Sequence, residues 1–375
     1  MIMKRPRVVL PVPYYFSPML LGKAVLLTSL AGCAAVVQPG RGLTRIHRAR
    51  REPRVCSTPR AQVNSDSRAT EEYFDYLLGR KKTAESEDCP SVIVGGGRIG
   101  TLLLDLGSRR GYKDVLVGRG EAIPEDHPGP VYVCTHASDL DAVVSACPEA
   151  KKSDLVFLQD GFLERSFQKH GLYDVSQATL WMALMRKGGK PVDGVNSAAP
   201  EGLSTVHGKW AGALSMRMGT GNLICREMMQ RDARRNMLEK LVFVSAYNLV
   251  GTVHGGIPVG EVAQKHGEEV GAMCRELASF IRYTLSVSLF AGLDERLEAY
   301  ARQLDFLPTA LPLKEFEFRN GYFYRYSLMA GTRTTADGRK IEMPDTTPIH
   351  TEYLQFAVEN GIIAQSMLDS VKAIA

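Results

Sequence analysis

Apolar positions fall in two different patterns along this chain. Over residues 91–230 they come in short blocks separated by turn residues and amphipathic stretches. Ser91-Val92-Ile93-Val94 predicts a buried strand, and 101–106 predicts a helix that Gly107 ends. Further strands are predicted over 114–117, 131–134, 154–159, 178–185 and 223–226, with a helix over 138–147 opened by Ser138 and stopped by Pro148. Short apolar strands alternating with helices argue a doubly wound, mostly parallel sheet. From Arg231 the alternation stops. Residues 236–253 predict one long helix, and after Lys240 no Asp, Glu, Lys or Arg occurs until Glu261, so most of that helix should be buried. Residues 314–322 predict a helix or turn, and 351–375 a final helix. The expected fold class is therefore an α/β domain over 90–230 followed by an all-α domain over 231–375.

Charge separates a third region from these two. The chain of 375 residues carries a net +5, but residues 1–60 alone carry +10 and the remainder −5. The basic balance thus belongs to the N-terminal arm, and the body gives no reason to expect nucleic acid as a partner. The arm opens with Lys4, Arg5 and Arg7, continues through an apolar stretch over 24–37, and ends in an Arg-rich, nearly acid-free segment over 41–60. That order is expected of a cleaved targeting segment, to a chloroplast or other plastid first and a mitochondrion second. Residues 61–89 read as a polar linker with one short helix near 71–78. Hydrophobic residues at 45% and mean hydropathy of −0.12 exclude a polytopic membrane protein and a wholly disordered chain.

The first strand runs directly into Gly95-Gly96-Gly97-Arg98-Ile99-Gly100 and then into a helix. This is G-x-G-x-x-G in the context that gives it meaning. Gly95 allows the tight turn, Gly97 lets the backbone approach a pyrophosphate, and Gly100 packs helix on strand. Helix N-terminal amides then face the phosphates. At the end of the second strand stands Arg119, suited to a 2′-phosphate, which favours NADP over NAD. Glu121, two residues on, keeps NAD open through the ribose hydroxyls. Ligands of such sheets lie at the carboxyl ends of the strands, so Thr135-His136-Ala137 and Gln159-Asp160-Gly161 become candidate loops. The seven cysteines form no C-x-x-C pair and the eight histidines show no short ligand spacing, so no metal is expected.

On the long helix, Val244 and Tyr247 lie within about 40° of Lys240 and Asn248 about 80° round, so Lys240 and Asn248 can border one cleft. Two readings of Lys240 stand: a snorkelling surface ammonium, or a pocket group whose pKa burial tunes. Glu315 and Glu317 cannot be told apart by chemistry alone. Thr309 lies in a loop between Pro308 and Pro312.

Taken in order, Gly95-x-Gly97-x-x-Gly100, Arg119, Gln159-Asp160-Gly161, Lys240, Asn248 and Glu315 before Asn320-Gly321 resemble the ketopantoate reductases, of the 6-phosphogluconate dehydrogenase-like superfamily. The resemblance covers roughly 90–370. The stretches 132–135, 154–157, 200–203 and 237–241 look closest to a plant and algal branch of unsettled function. It implies a Rossmann domain followed by a helical domain, with the active site between them. It also implies NADPH as hydride donor, with Gly95, Gly96, Gly97, Arg98, Ile99, Gly100, Arg119, Thr135, His136 and Gln159 binding the cofactor. Lys240 would be the general acid or carbonyl polariser, with Glu315 beside it, and Asn248, Thr309 and Asp160 would meet substrate. Four positions depart from the family pattern. Val244 stands where a first helix Asn is expected, Asp160 replaces the Asn of a Q-N-G loop, His136 replaces a Lys, and Thr309 is only a loose match for a Ser.

The leading expectation is an NADP-dependent reductase of a 2-oxo acid or related carbonyl compound. Against it stand a non-catalytic NADP(H) sensor, favoured by Val244 and Asp160, and a dehydrogenase oxidising a sugar acid. The expected partners are a small-molecule substrate and, as an open alternative to a monomer, a second copy of the chain. No integral membrane association is expected of the mature form.

Overall fold

The computed structural model describes residues 86–334 and 339–372. The arm expected to be a targeting segment, most of the expected linker, its expected short helix and the last three residues of the expected final helix lie outside the described residues. The rest belongs to one compact unit.

The chain begins with β1 (Val92–Val94), α1 (Arg98–Arg109), β2 (Val115–Val117) and β3 (Val131–Val133). It continues through α2 (Leu140–Ala146), β4 (Leu155–Phe157), α3 (Glu164–Lys169) and β5 (Ser176–Thr179). A small antiparallel pair, β6 (Met182–Ala183) and β7 (Val192–Asp193), precedes β8 (Thr205–His207), α4 (Ala211–Gly219) and β9 (Arg226–Glu227). Seven strands form one sheet in the order β2-β1-β3-β4-β5-β8-β9. All neighbours are parallel except β5 and β8. Alternate residues of these strands feed two cores. Ile93, Tyr132 and Val156 pack with Leu103 and Leu106 of α1 and Leu214 of α4. Val92, Val94, Val131 and Val133 pack with Leu140 and Val144 of α2 and Phe167 of α3 on the opposite face. Burial of both faces is the reason these strands read as continuous apolar blocks.

The helical portion is built around α5 (Gln230–Val253). This helix touches β5 and β8 of the sheet and is surrounded by α6 (Val259–Lys265), α7 (Gly267–Leu285) and α11 (Pro348–Glu359). Sixteen of its residues are buried. Also present are α8 (Leu293–Arg302), α9 (Leu313–Phe316), α10 (Asn320–Ser327), an exposed hairpin of β10 (Gly331–Thr334) and β11 (Lys340–Met343), and α12 (Gln365–Lys372). The hairpin is the one strand pair described in a portion expected to be all helical.

Several sequence expectations need correction. Gly107 does not end α1; it lies inside it, because a Cβ there would fall 2.0 Å from Asp114 Oδ2. The helix ends at Arg109, and Gly111 beyond it, with φ of +79°, allows the Tyr112 and Gly111 amides to donate back to the Gly107 and Ser108 carbonyls. The same arrangement at Gly361 splits the expected final helix into α11 and α12, with Ile362 N–H on the Ala357 carbonyl at 2.8 Å. The strand expected over 178–185 stops at Thr179, and α5 starts six residues before its expected first residue.

At the amino ends of the strands, Arg217 of α4 is fully buried. It donates to Asp88 Oδ1 at 3.0 Å, Asp114 Oδ2 at 2.9 Å and the Cys89 carbonyl at 2.7 Å. The site lies at the other end of the sheet.

Candidate active site

The order β2-β1-β3 reverses direction after β1, and the Gly95–Gly100 turn occupies that switch point. Gly95 has φ of +98° and its amide donates to the Val117 carbonyl at 3.0 Å. A Cβ at Gly100 would lie 2.0 Å from the Gly95 carbonyl oxygen. Packing therefore demands both glycines. Gly97 differs: a Cβ there would meet only the Cys134 carbonyl oxygen, at 3.8 Å. Nothing in the fold explains its missing side chain, whereas close approach of a pyrophosphate does. The turn fits a dinucleotide on this ground. Gly96 faces Leu116, and Ile99 packs into the core behind α1. The Arg98 guanidinium donates to the Leu184 carbonyl at 2.7 Å, so its side chain ties the turn to the connection between β6 and β7.

At the end of β2, Arg119 is exposed. The Glu121 carboxylate folds back to accept the Gly118 amide at 2.6 Å. Thr135 stands against Gly95. Gln159, after β4, is buried and braces the strand ends: its amide donates to the Val133 and Thr135 carbonyls at 3.0 and 3.3 Å.

Lys240 is buried on α5, with 6% of its surface exposed. Its Nζ lies 2.7 Å from Asp160 Oδ1 and also donates to the Leu180 carbonyl. The Leu180 carbonyl also accepts the Met182 amide at 2.9 Å, a local turn that takes the chain out of the ladder just past β5. Burial pushes the Lys240 ammonium below the usual lysine range; attraction and hydrogen bonding to Asp160 oppose this, and Arg319 adds to it. Snorkelling is excluded by the burial.

Asp160 reaches this position because Gly161, at φ of +124°, comes so close to Phe318 that a Cβ would lie 2.7 Å from its carbonyl oxygen. The Phe162 amide donates to that oxygen at 2.8 Å. The contact sets Arg319 beside the loop. Arg319 Nη2 lies 3.8 Å from Asp160 Oδ2 and 3.6 Å from Glu315 Oε2, too far for hydrogen bonds. Glu315 is itself buried and meets His136 Nδ1 at 2.8 Å and the Ala137 amide at 3.3 Å. Lys240, Asp160, Arg319, Glu315 and His136 thus form one string of charged and ionisable groups at the carboxyl edge of the sheet.

Asn248 stands apart from the string. Its Nδ2 donates to the Val244 carbonyl at 2.7 Å, and its Oδ1 accepts the Ala310 amide at 3.3 Å. It borders a small hollow that Val244, Glu315, Arg319 and Asn320 also line. Thr309 points elsewhere: its hydroxyl donates to the Ile257 carbonyl at 2.7 Å, packed against Gly251 of α5. Two residues escape the sequence reasoning. Asn320 is buried, yet neither its Oδ1 nor its Nδ2 has a partner among the described residues; Arg319 Nε is also unpartnered there. Buried amides are normally satisfied, so an orphan facing a hollow marks room for a ligand or water. The signal available was Arg319-Asn320 immediately before Gly321.

No family profile and no curated protein matches the chain. Among solved structures, it is similar to a PanE/ApbA family ketopantoate reductase from Ralstonia eutropha JMP134, at 15% identity and a TM-score of 0.51, over 72% of this chain and 99% of that one. It is similar also to a putative ketopantoate reductase from Ralstonia solanacearum MolK2, at 14% identity and a TM-score of 0.50, over 73% of this chain and 99% of that one. This chain has the ketopantoate reductase fold. At such identities the likeness carries the arrangement of sheet and helices. The ketopantoate reductase fold sets α5 beside the carboxyl edge of the sheet, and the chemistry must be argued from the side chains found there. Among the described residues, no helix is long and apolar enough to cross a membrane.

Proposed function

We propose that this chain is an NADP-dependent reductase of a 2-oxo acid or a related carbonyl compound. The observation that carries the reading is a buried ammonium, Lys240, held by Asp160 and the Leu180 carbonyl at the carboxyl edge of the sheet, the edge that also carries the dinucleotide-type turn. When bound, NADPH would supply the hydride. The protein's own work is the proton and the alignment. An ammonium has three donors. Two are engaged, and the third would donate to a carbonyl oxygen and pass its proton there as the alcohol forms. Asp160 keeps Lys240 charged against the effect of burial. Arg319, with an unpartnered Nε and only long-range acidic neighbours, offers a planar fork to a carboxylate. Asn320 and Asn248 border the same hollow and suit the remaining polar atoms.

The test is NADPH oxidation by the purified full chain against a panel of 2-oxo acids. Binding should favour NADPH over NADH by tenfold or more, about 1.4 kcal/mol. Arg119→Ala should erase most of that gap and leave NADH affinity nearly unchanged. Equal affinities in the parent would remove the NADP assignment and point to Glu121 as a ribose ligand.

A second prediction uses the pKa. The reductive step needs Lys240 protonated, so activity should fall as pH rises through its folded pKa, which burial sets below the usual lysine range. Asp160 opposes that lowering. Asp160→Asn should therefore move the basic limb of the kcat/KM profile to lower pH. An unmoved limb would mean that another group titrates.

One observation favours a second reading. Asp160 neutralises the ammonium at 2.7 Å, and Val244 lines the hollow where an amide would hold substrate. A non-catalytic NADP(H) sensor would show these features. Persistent NADPH binding with no turnover on any panel member would decide for it.

A further inference from the structure

The far end of α5 carries a second cluster that the reductase reading does not use. His254 follows the last residue of α5, His266 is the single residue between α6 and α7, and Glu269 lies in the first turn of α7. Three helix ends thus converge. The two imidazole rings stack, with centroids 3.6 Å apart and planes at 23°. Each presents one nitrogen to a different oxygen of the same carboxylate. His254 Nε2 lies 2.8 Å from Glu269 Oε2, and His266 Nδ1 lies 3.1 Å from Oε1. The Tyr353 hydroxyl of α11 donates to Oε2 at 2.7 Å.

We propose that His254, His266 and Glu269 form a binding site for a borderline divalent cation of the Zn²⁺ class. The ligand chemistry is two imidazoles and one carboxylate, a set that suits this class. The three ligand atoms already lie within 4.8 Å of one another. In a tetrahedron with bonds of ~2.1 Å they would stand about 3.4 Å apart, so ring and carboxylate rotations suffice to close the set. All three side chains are partly exposed, which gives an ion entry and leaves a fourth position for water. Tyr353 supplies what a bare cluster lacks: an outer hydrogen bond that orients the ligating carboxylate. Bound metal would join the end of α5 to the α6–α7 break and, through Tyr353, to α11. Sequence spacing alone was a weak hint: His266 and Glu269 form an i,i+3 pair at the start of α7, but His254 comes from the end of a different helix and only the fold adds it.

The test uses the full chain, stripped with a chelator, dialysed, and with its solvent-accessible cysteines alkylated under native conditions so that exposed thiolates do not compete; Cys147, Cys225 and Cys274 are buried and stay unmodified. Zn²⁺ is titrated against a chromophoric competitor, and Co²⁺ is followed by its visible spectrum. The expected result is one saturable equivalent, a Co²⁺ spectrum of low-coordinate type, and a rise in Tm with added Zn²⁺. His266→Ala and Glu269→Gln should each weaken binding by ~10²-fold or more, and Tyr353→Phe by ~10-fold, as outer partners do. Circular dichroism checks that each variant is folded, and the parent's stoichiometry and spectrum stand independently of the variants. Absence of a saturable equivalent in the parent would overturn the site. So would binding that survives in the folded His254→Ala/His266→Ala double variant. NADPH binding and turnover are read separately, so loss of the reductase reading would leave this one intact.

Discussion

Lys240→Ala is expected to lower turnover by about 10²-fold or more, the usual worth of a positioned proton donor, while NADPH affinity stays within a few-fold. The Gly95–Gly100 turn and Arg119, not Lys240, meet the regions where the cofactor's phosphates would lie. The complication is structural. Lys240 is buried and paired to Asp160 at 2.7 Å, so its loss strips a partner from a carboxylate and from the Leu180 carbonyl. Asp160 keeps some compensation, because Arg319 lies 3.8 Å from its other oxygen. A companion variant separates the two effects. Lys240→Met/Asp160→Asn removes both charges and keeps the stem volume, and replacing a whole buried pair costs far less than breaking one. It should therefore regain thermal stability over Lys240→Met alone and regain no turnover. Retained activity in any folded Lys240 variant would remove Lys240 as the proton donor and assign that role to another group.

What the sequence makes legible follows the range of the forces involved. The Gly95–Gly100 turn is readable because its first and last glycines answer local needs: a positive φ at Gly95 and a backbone contact five residues away at Gly100. Lys240 is conspicuous in the sequence as the last charge before a long uncharged stretch, but whether it snorkels or is buried is decided only by the packed structure. The parallel sheet is readable because strands buried on both faces become continuous apolar blocks. Arg319 is not readable, since its place depends on Gly161 approaching Phe318 across the interface between β4 and α10. Asn320 looks like a helix start and is one; only the packed structure reveals that its amide has no partner. Gly107 shows the same limit in reverse. Local rules make it a stop, but it serves the approach of the buried Asp114 carboxylate. The Asn360-Gly361 break, by contrast, carried an ordinary helix-stop signal within an otherwise periodic stretch.

Arg217→Ala should cost about 3–5 kcal/mol of folding stability, because it strands buried carboxylates. Arg217 is fully buried between Asp88 and Asp114, whose side chains are 0% and 2% exposed. Asp114 has other donors, the Ser91 amide at 2.8 Å and hydroxyl at 3.1 Å. Asp88 has less: Arg110 Nε lies 3.3 Å from Oδ2 without hydrogen-bond alignment. Burial already raises the Asp88 carboxyl above its ordinary range, and Arg217 is the largest influence holding it down. Without Arg217 it should rise further. A folded-state pKa raised above the unfolded value means that the native state binds the extra proton, so stability falls as pH rises through that window. The deficit of Arg217→Ala should accordingly be largest near neutral pH and shrink as pH falls through the raised Asp88 pKa. Arg217→Met should share most of the loss, since it fills volume and leaves the charges. Arg217→Met/Asp88→Asn/Asp114→Asn should recover much of it. Urea unfolding of the four proteins at two pH values measures all of this. A deficit below about 1 kcal/mol, or one independent of pH, would mean that water reaches these carboxylates and that Arg217 is not what allows strand β1 and helix α4 to bury them.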